Sequence, residues 1–200
     1  MSVTVDEILV PGSVEAWRAI GFSVDDDGTC RVGGVRIRPG VAGVAGWSLR
    51  GIDVEDEDVD GIRTSGSDAA PSTAAEHPNG VTQIDHVVVM TADVDRTVNA
   101  VQQQLELDVR RERDGGPMRQ VFFRVGELVV EVVGPHEPGR GPAHLWGITF
   151  TVADLDATAA LLGERVGRVK DAVQPGRRIT TLRGVDEGVA IAFISPPADR

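Results

Sequence analysis

Two stretches of the chain carry nearly the same sequence pattern at an offset of 61 positions. The first covers residues 83–96 (QIDHVVVMTADVDR) and the second covers residues 144–157 (HLWGITFTVADLDA). Their apolar alternation coincides, and Asp93 of the first matches Asp154 of the second. A repeat on this scale indicates two copies of one small supersecondary unit, which constrains the fold more than any single segment does.

Each copy predicts one strand, one helix and three further strands. The alternating and β-branched residues predict strands, and the paired aspartates that follow the first strand of each copy can cap a helix. In the first copy the predicted strands are 84–90, 109–113, 119–125 and 128–133, and the helix is 96–105. In the second copy the predicted strands are 145–152, 166–173, 179–183 and 189–194. The sequence therefore predicts an α+β fold of two βαβββ modules within residues 81–197.

The remainder of the chain divides at a segment without hydrophobic period. Residues 64–80 are rich in Ser, Ala, Pro and Gly, and we predict that they form a linker. Residues 1–63 resemble a degenerate third module, with a short strand, a helix capped by Ser13 and three short strands. Residues 45–52 read as the start of a further unit that stops early, and His77 of the linker is predicted to be solvated.

The two modules resemble the vicinal oxygen chelate superfamily, which includes glyoxalase I, bleomycin-resistance proteins, methylmalonyl-CoA epimerase and extradiol dioxygenases. The residues that carry the resemblance are Ile84-Asp-His-Val-Val-Val, Thr91-Ala-Asp-Val-Asp, Glu127-Leu-Val-Val-Glu-Val-Val-Gly-Pro and Gly147-Ile-Thr-Phe-Thr-Val-Ala-Asp-Leu-Asp. It implies that the modules pair into a half-open barrel whose concave face holds a ligand. It also implies a divalent metal held by the first and fourth strands of both modules, and His86 and Glu131 match these positions.

The second module departs from the metal-binding pattern of the family. Gly147 and Ala192 stand at the two matching positions, and neither side chain can bind a metal. Catalytic zinc sites use three protein ligands, so a site of two would hold Zn, Ni, Fe or Mn weakly unless a substrate or another chain completes it. His144 could substitute only if a β-bulge turns it toward the site, because it lies an odd number of residues from Gly147.

Three functions remain open, and the sequence does not decide whether the chain is an enzyme. The main hypothesis is a glyoxalase- or bleomycin-resistance-like protein that binds a small metabolite or drug, with His86, Glu131 and Arg119 as polar anchors. The expected lining is Val88, Met90, Val129, Val133, Thr149, Thr151, Ala190 and Ile194. The alternative is a divalent-metal-dependent lyase, isomerase or dioxygenase. The third is metal-free acid–base catalysis by Glu131 and His86, in which burial raises the pKa of the glutamate.

Charge and composition exclude other classes of partner. The formal net charge of −11 argues against binding to nucleic acid or to anionic membranes. The single Cys30, with no signal peptide and no long apolar run, favours a cytoplasmic protein. A homodimer is expected because three modules cannot all pair within one chain.

Overall fold

The structure, a computed structural model, describes residues 2–40, 45–114, 116–184 and 188–197. Parts of the predicted modules, at residues 41–44, 115 and 185–187, lie outside the described residues. The described residues form two β-sheets and three α-helices. None of these helices is long and apolar enough to span a membrane.

The N-terminal part of the chain forms a six-stranded sheet. Its elements are β1 (Thr4–Val10), α1 (Val14–Ala19), β2 (Cys30–Val32), β3 (Val35–Pro39), β4 (Gly46–Arg50), β5 (Glu57–Val59) and β6 (Ile62–Ser67). The strand order is β2-β3-β1-β4-β6-β5, and β1 and β4 are antiparallel at its centre. Because β6 ends at Ser67, the first four residues of the predicted linker belong to a strand.

The C-terminal part forms an eight-stranded sheet from two βαβββ modules, as predicted. The first module is β7 (Val81–Met90), α2 (Val94–Leu105), β8 (Val109–Asp114), β9 (Met118–Val125) and β10 (Leu128–Pro135). The second is β11 (His144–Val152), α3 (Leu155–Leu162), β12 (Lys170–Asp171), β13 (Arg178–Thr181) and β14 (Ala190–Ile194), with a 3-10 helix at Gly163–Arg165. The side chains of Asp93 and Asp154 accept backbone N–H groups of the first helical turns, so the predicted caps are confirmed.

The two sheets share one central arrangement. The strand order of the larger sheet is β12-β13-β14-β11-β7-β10-β9-β8. In each sheet the first strands of two units lie antiparallel at the centre, and each pairs in parallel with the last strand of its own unit. The residues predicted as one degenerate module therefore carry two shortened units, and the second continues from β4 through β6 without a helix.

The apolar core lies between the two sheets. α2 contacts β5 of the smaller sheet and β9 and β10 of the larger one. Phe150 of β11 is fully buried, and its ring centroid lies 4.9 Å from that of Phe22 and 6.1 Å from that of Trp17. Trp47 and Leu49 of β4 belong to the same core. The apolar face of the N-terminal units is thus covered within the chain. Because these residues form two units that pair with each other, the odd number of modules on which the expected homodimer rested is not found among the described residues.

The structure buries His77, and the prediction that it is solvated is wrong. Only 8% of the residue is exposed, and its ring packs against Phe22 with centroids 5.3 Å apart. Its Nδ1 accepts the backbone N–H of Ser23 at 3.1 Å, and its Nε2 lies 3.2 Å from the carbonyl oxygen of Arg31. Nε2 therefore carries the proton and donates to Arg31. Burial lowers the pKa of His77, because the neutral ring fits this environment.

We expect His77 to make folding sensitive to acid. Its contribution to the free energy of unfolding is complete above its ordinary pKa of 6.5 and is lost as the pH falls below that value, because the unfolded chain binds the proton first. Urea unfolding of the wild type and of His77→Gln measures this contribution, at pH values from about 8 to about 5, which bracket that pKa. The stability advantage of the wild type should shrink toward acid pH, and an advantage that stays constant would contradict the assignment.

Candidate functional site

A β-bulge in β7 brings Asp85 to the same face of the sheet as His86. Thr149 of β11 pairs with His86, and the next residue, Phe150, pairs with Ile84, so Asp85 is the extra residue. Asp85 Oδ1 lies 2.8 Å from His86 Nδ1. Regular alternation would place these neighbours on opposite faces. Asp85 is therefore a site residue that the sequence reasoning missed, because nothing in an alternating strand pattern marks a bulge.

Arg177, in the turn before β13, holds the other oxygen of Asp85. Its guanidinium donates to Asp85 Oδ2 at 2.5 Å, to Thr151 Oγ1 at 3.2 Å and to the carbonyl oxygen of Ser195 at 2.8 Å. Burial alone would raise the pKa of Asp85, but the hydrogen bonds from His86 and Arg177 more than offset it, so the pKa lies below its ordinary value. Asp85 is therefore an ionised carboxylate bound on both sides.

Glu131 of β10 faces the other nitrogen of His86. Its Oε2 lies 3.8 Å from His86 Nε2, and its Oε1 accepts a hydrogen bond from the Gln120 side-chain amide. Both side chains are mostly buried, with 14% of His86 and 12% of Glu131 exposed. Burial raises the pKa of Glu131, and the charges of His86 and Arg113 and the bond from Gln120 only partly offset it. The structure thus brings the two predicted site residues together.

The second module has no matching donors opposite this pair. Gly147 pairs with Val88 of β7 and with Ala190 of β14. A Cβ at Gly147 would lie 3.0 Å from the carbonyl oxygen of Ala190, which is closer than ordinary van der Waals contact. Ala192 lies on the same strand as Ala190, in register with Thr149. The two positions that would complete a metal site, Gly147 and Ala192, therefore carry small residues without metal-binding side-chain atoms.

A second bulge, at Trp146 of β11, affects His144. Leu145 pairs with Val89 while Gly147 pairs with Val88, so Trp146 is the extra residue, and His144 comes into register with Met90. The bulge turns His144 to the face of Met90, but Met90 lies four residues from His86 along β7, and His144 is exposed. The part of the chain that the structure describes contains no group of three His, Cys, Asp or Glu residues that could hold a metal ion. These donors do not fit a tightly held metal, because Asp85 is already engaged by His86 and Arg177.

Arg119 is not an anchor of this site, and that prediction is wrong. Its guanidinium lies 2.8 Å from Asp95 of α2 and 2.7 Å from Glu112 of β8. It therefore binds on the helix-covered side of the sheet. The next residue, Gln120, is the one that reaches Glu131.

The expected lining residues surround the pair to different degrees. Val129 and Thr149 are the strand neighbours of His86 on either side, and Val88 is the neighbour of Glu131. Ile194, by contrast, has no exposed surface and cannot form an open wall. The apolar surroundings of the site are therefore the valines of β7 and β10 and the alanines of β14.

Well-formed grooves also lie away from these residues. One of about 340 Å³ runs between the two sheets and is lined by residues such as Val32, Val35, Pro71, Ile84 and Leu128. A larger and more polar groove of about 720 Å³ is lined by residues 51–54 and 104–108 among others. Neither groove includes His86 or Glu131. The chemistry nevertheless favours the open sheet face, because the buried His–carboxylate contacts converge there.

Comparison with solved structures finds similar chains among the methylmalonyl-CoA epimerases. The enzyme from Mycobacterium tuberculosis is 20% identical, with a TM-score of 0.49 over 60% of this chain and 91% of that one. A variant of the Streptomyces coelicolor enzyme, in complex with 2-nitronate-propionyl-CoA, is 24% identical, with a TM-score of 0.48 over 59% and 99% of the two chains. A hypothetical protein from Bacillus halodurans is 16% identical, with a TM-score of 0.48 over 59% and 96%. A search of curated proteins found no match.

The family comparison covers most of the two modules, from within β7 to residue 187, and leaves out β14. The model of the Glyoxalase/Bleomycin resistance protein/Dioxygenase superfamily matches residues 83–187, which is just over half of the 200 residues. The matched residues include His86 and Glu131. The chain therefore belongs to the Glyoxalase/Bleomycin resistance protein/Dioxygenase superfamily.

Proposed function

We propose that this protein binds a small organic molecule on the open face of the eight-stranded sheet, with His86 and Glu131 as its polar anchors. The observation that carries the proposal is the asymmetry of the face. One module presents a buried His–Glu pair, and the other presents Gly147 and Ala192 at the matching positions. One half of the face is thus polar and preorganised, and the other half carries small side chains at the matching positions.

The surroundings of the pair suit an apolar ligand body. Val88, Val129 and Ala190 lie on the neighbouring strands, and Phe122 pairs with Glu131 across β9 and β10. Binding sites for small molecules are commonly apolar with a few polar groups that fix orientation. The His86 ring is fixed by Asp85, and the Glu131 carboxylate by Gln120. Ligand binding should therefore cost little side-chain entropy, because the side chains of both anchors are already held in place.

The metal-dependent alternative needs donors that these residues do not supply. Catalytic zinc sites have three protein ligands and one open position. His86 Nε2 and Glu131 Oε2 could contribute two, and Gly147 and Ala192 contribute none. A substrate that offered two vicinal oxygens would have to complete the coordination. Metal content therefore separates this alternative from ligand binding without metal.

We expect ligand binding to depend on Glu131. In a thermal-shift and calorimetric screen of small apolar metabolites and glycopeptide-like drugs, a ligand that stabilises the wild type should bind Glu131→Gln about tenfold or more weakly, since a hydrogen bond to a charged group contributes about 1.5–3 kcal/mol. Glu112→Gln is the matched control, because Glu112 lies on β8 and pairs with Arg119 away from the site. Its affinity should equal that of the wild type.

The same preparations decide between binding and metal-dependent catalysis. Protein purified without chelator should contain far less than one equivalent of Zn, Ni, Fe or Mn, and adding these ions should not change ligand affinity. Stoichiometric metal that disappears in His86→Ala would favour the metal-dependent enzyme. An absence of binding across the screen by the wild type would end the proposal.

A further inference from the structure

We propose that Asp85 and Arg177 are positioning residues that place the proton of His86 on Nδ1. The site then favours ligands that donate a hydrogen bond to it, through a hydroxyl or an ammonium group. This inference rests on the proposed function for its ligand, but the role of Asp85 and Arg177 can be measured on the free protein. Neither Asp85 nor Arg177 occupies a metal-binding position of the family pattern, and neither belongs to the His86–Glu131 pair.

The first step concerns the proton on His86. The ionised carboxylate of Asp85 can only accept hydrogen bonds, and the guanidinium of Arg177 can only donate them. Asp85 Oδ2 is filled by Arg177 and by Thr151 Oγ1 at 3.3 Å, while Oδ1 lies 2.8 Å from His86 Nδ1. Nδ1 must therefore be the donor. In the neutral ring this leaves Nε2 with a lone pair and no proton.

The second step concerns the gap between Nε2 and Glu131. The 3.8 Å separation of His86 Nε2 and Glu131 Oε2 exceeds the length of a hydrogen bond. Gln120 donates to the other oxygen, Oε1, and so leaves Oε2 to the gap. When His86 is neutral and Glu131 is ionised, the two groups face each other as buried acceptors, which is unfavourable unless a donor lies between them.

The third step is the class of ligand that fits this gap. Val88 and Val129, the strand neighbours of the pair, have no donor in their side chains. A ligand hydroxyl or ammonium would donate to both Nε2 and Oε2. A ligand carbonyl or carboxylate would place a third acceptor beside Nε2 and Oε2. The site therefore selects against ligands with these groups.

The arrangement also predicts what an amide at position 85 does. In Asp85→Asn the amide oxygen must turn toward Arg177, because Arg177 can only donate. The amide NH2 then faces His86 Nδ1, which has to accept. The proton of His86 should therefore move from Nδ1 to Nε2, as happens when the aspartate of a Ser-His-Asp triad is replaced by asparagine.

We expect ¹⁵N NMR of the imidazole at a pH where His86 is neutral to show this change directly. In the wild type His86 should be the Nδ1–H tautomer, and in Asp85→Asn the Nε2–H tautomer. The matched control is Asp156→Asn, which replaces another Arg-paired aspartate, bonded to Arg178 on the surface of α3. It should leave the His86 signals unchanged. A wild type with Nε2–H, or an Asp85→Asn variant that keeps Nδ1–H, overturns the positioning role.

Three probes with one apolar body then test the ligand class. Benzylamine, benzyl alcohol and benzoate differ only in the polar group that would enter the gap. Benzylamine should bind the wild type about tenfold or more tightly than benzoate, as expected for a hydrogen bond to a charged group. It should also shift the His86 signals and lose its advantage in Asp85→Asn. Equal or tighter binding of benzoate, or no binding by any of the three, overturns the donor rule.

The two measurements fail independently. If the tautomer is as expected but no compound of the wider screen binds, the proposed function fails and the positioning role stands. If ligands bind but the tautomer is wrong, the binding proposal stands and the role of Asp85 and Arg177 does not.

Discussion

Replacing Phe150 with alanine should lower the free energy of unfolding by about 3–5 kcal/mol, the usual cost of removing a buried phenylalanine. The side chain has no exposed surface. It contacts Trp17 and Phe22 from the N-terminal sheet's side of the core, and Phe193 from the neighbouring strand, with centroids 6.4 Å apart. The substitution therefore leaves a cavity at the junction of the two sheets, where neither can easily collapse into it.

Urea unfolding followed by both circular dichroism and tryptophan fluorescence measures this loss. Because Phe150 joins the two halves, both signals should shift together to lower urea. Val173→Ala is the control, since 72% of Val173 is exposed, and its effect should stay within about 0.5 kcal/mol. A loss below about 1 kcal/mol in Phe150→Ala would contradict the packing of Phe150 between the two sheets.

The modules could be predicted because their sequence periods match their secondary structure. Alternation in residues 83–90 and the aspartate caps before α2 and α3 depend only on neighbours along the chain. The repeat then indicated two copies of one module, and the family resemblance supplied their pairing, which no local pattern contains. The assignment of His86 and Glu131 to one face followed from alternation on strands that the family resemblance placed side by side.

The bulges could not be predicted, and they determine the site. In β1, β7 and β11 an extra residue precedes the position that matches His86, and these residues are Asp6, Asp85 and Trp146. A strand pattern with a strict period of two assigns all of them to the wrong face. Arg177 was missed for a related reason, because it lies in a turn 92 residues from its partner Asp85.

For residues 64–80, amino-acid composition did not predict the contacts that the segment makes. Its Ser, Ala and Pro content predicted a solvated linker, but its backbone carbonyl groups accept hydrogen bonds from arginines of the N-terminal sheet. Ala69 and Ala70 bind Arg50 and Arg36, and Thr73 binds Arg31. Carbonyl groups are present in every residue, so the sequence of the segment does not reveal where it binds.

Replacing Asp6 with alanine should also destabilise the fold by about 3–5 kcal/mol, because it leaves buried charges without a partner. Only 8% of the Asp6 side chain is exposed. The carboxylate pairs with both Arg36 and Arg50 and accepts a hydrogen bond from Ser67 at 2.6 Å. Arg50, with 13% of its side chain exposed, has little access to water with which to replace the lost partner.

Chemical denaturation of Asp6→Ala and Asp56→Ala compares the loss of a buried ion pair with the loss of an exposed one. It therefore shows whether burial determines the change in the free energy of unfolding. Asp56 forms a comparable pair with Arg63, but both side chains are more than half exposed, so its loss should not change stability measurably. Removing Arg36 together with Asp6 should cost less than the sum of the two single changes, because the double variant no longer buries the Arg36 charge unpaired. Additive losses, or equal losses in Asp6→Ala and Asp56→Ala, would show that the bulge at Asp6 does not bury the charge.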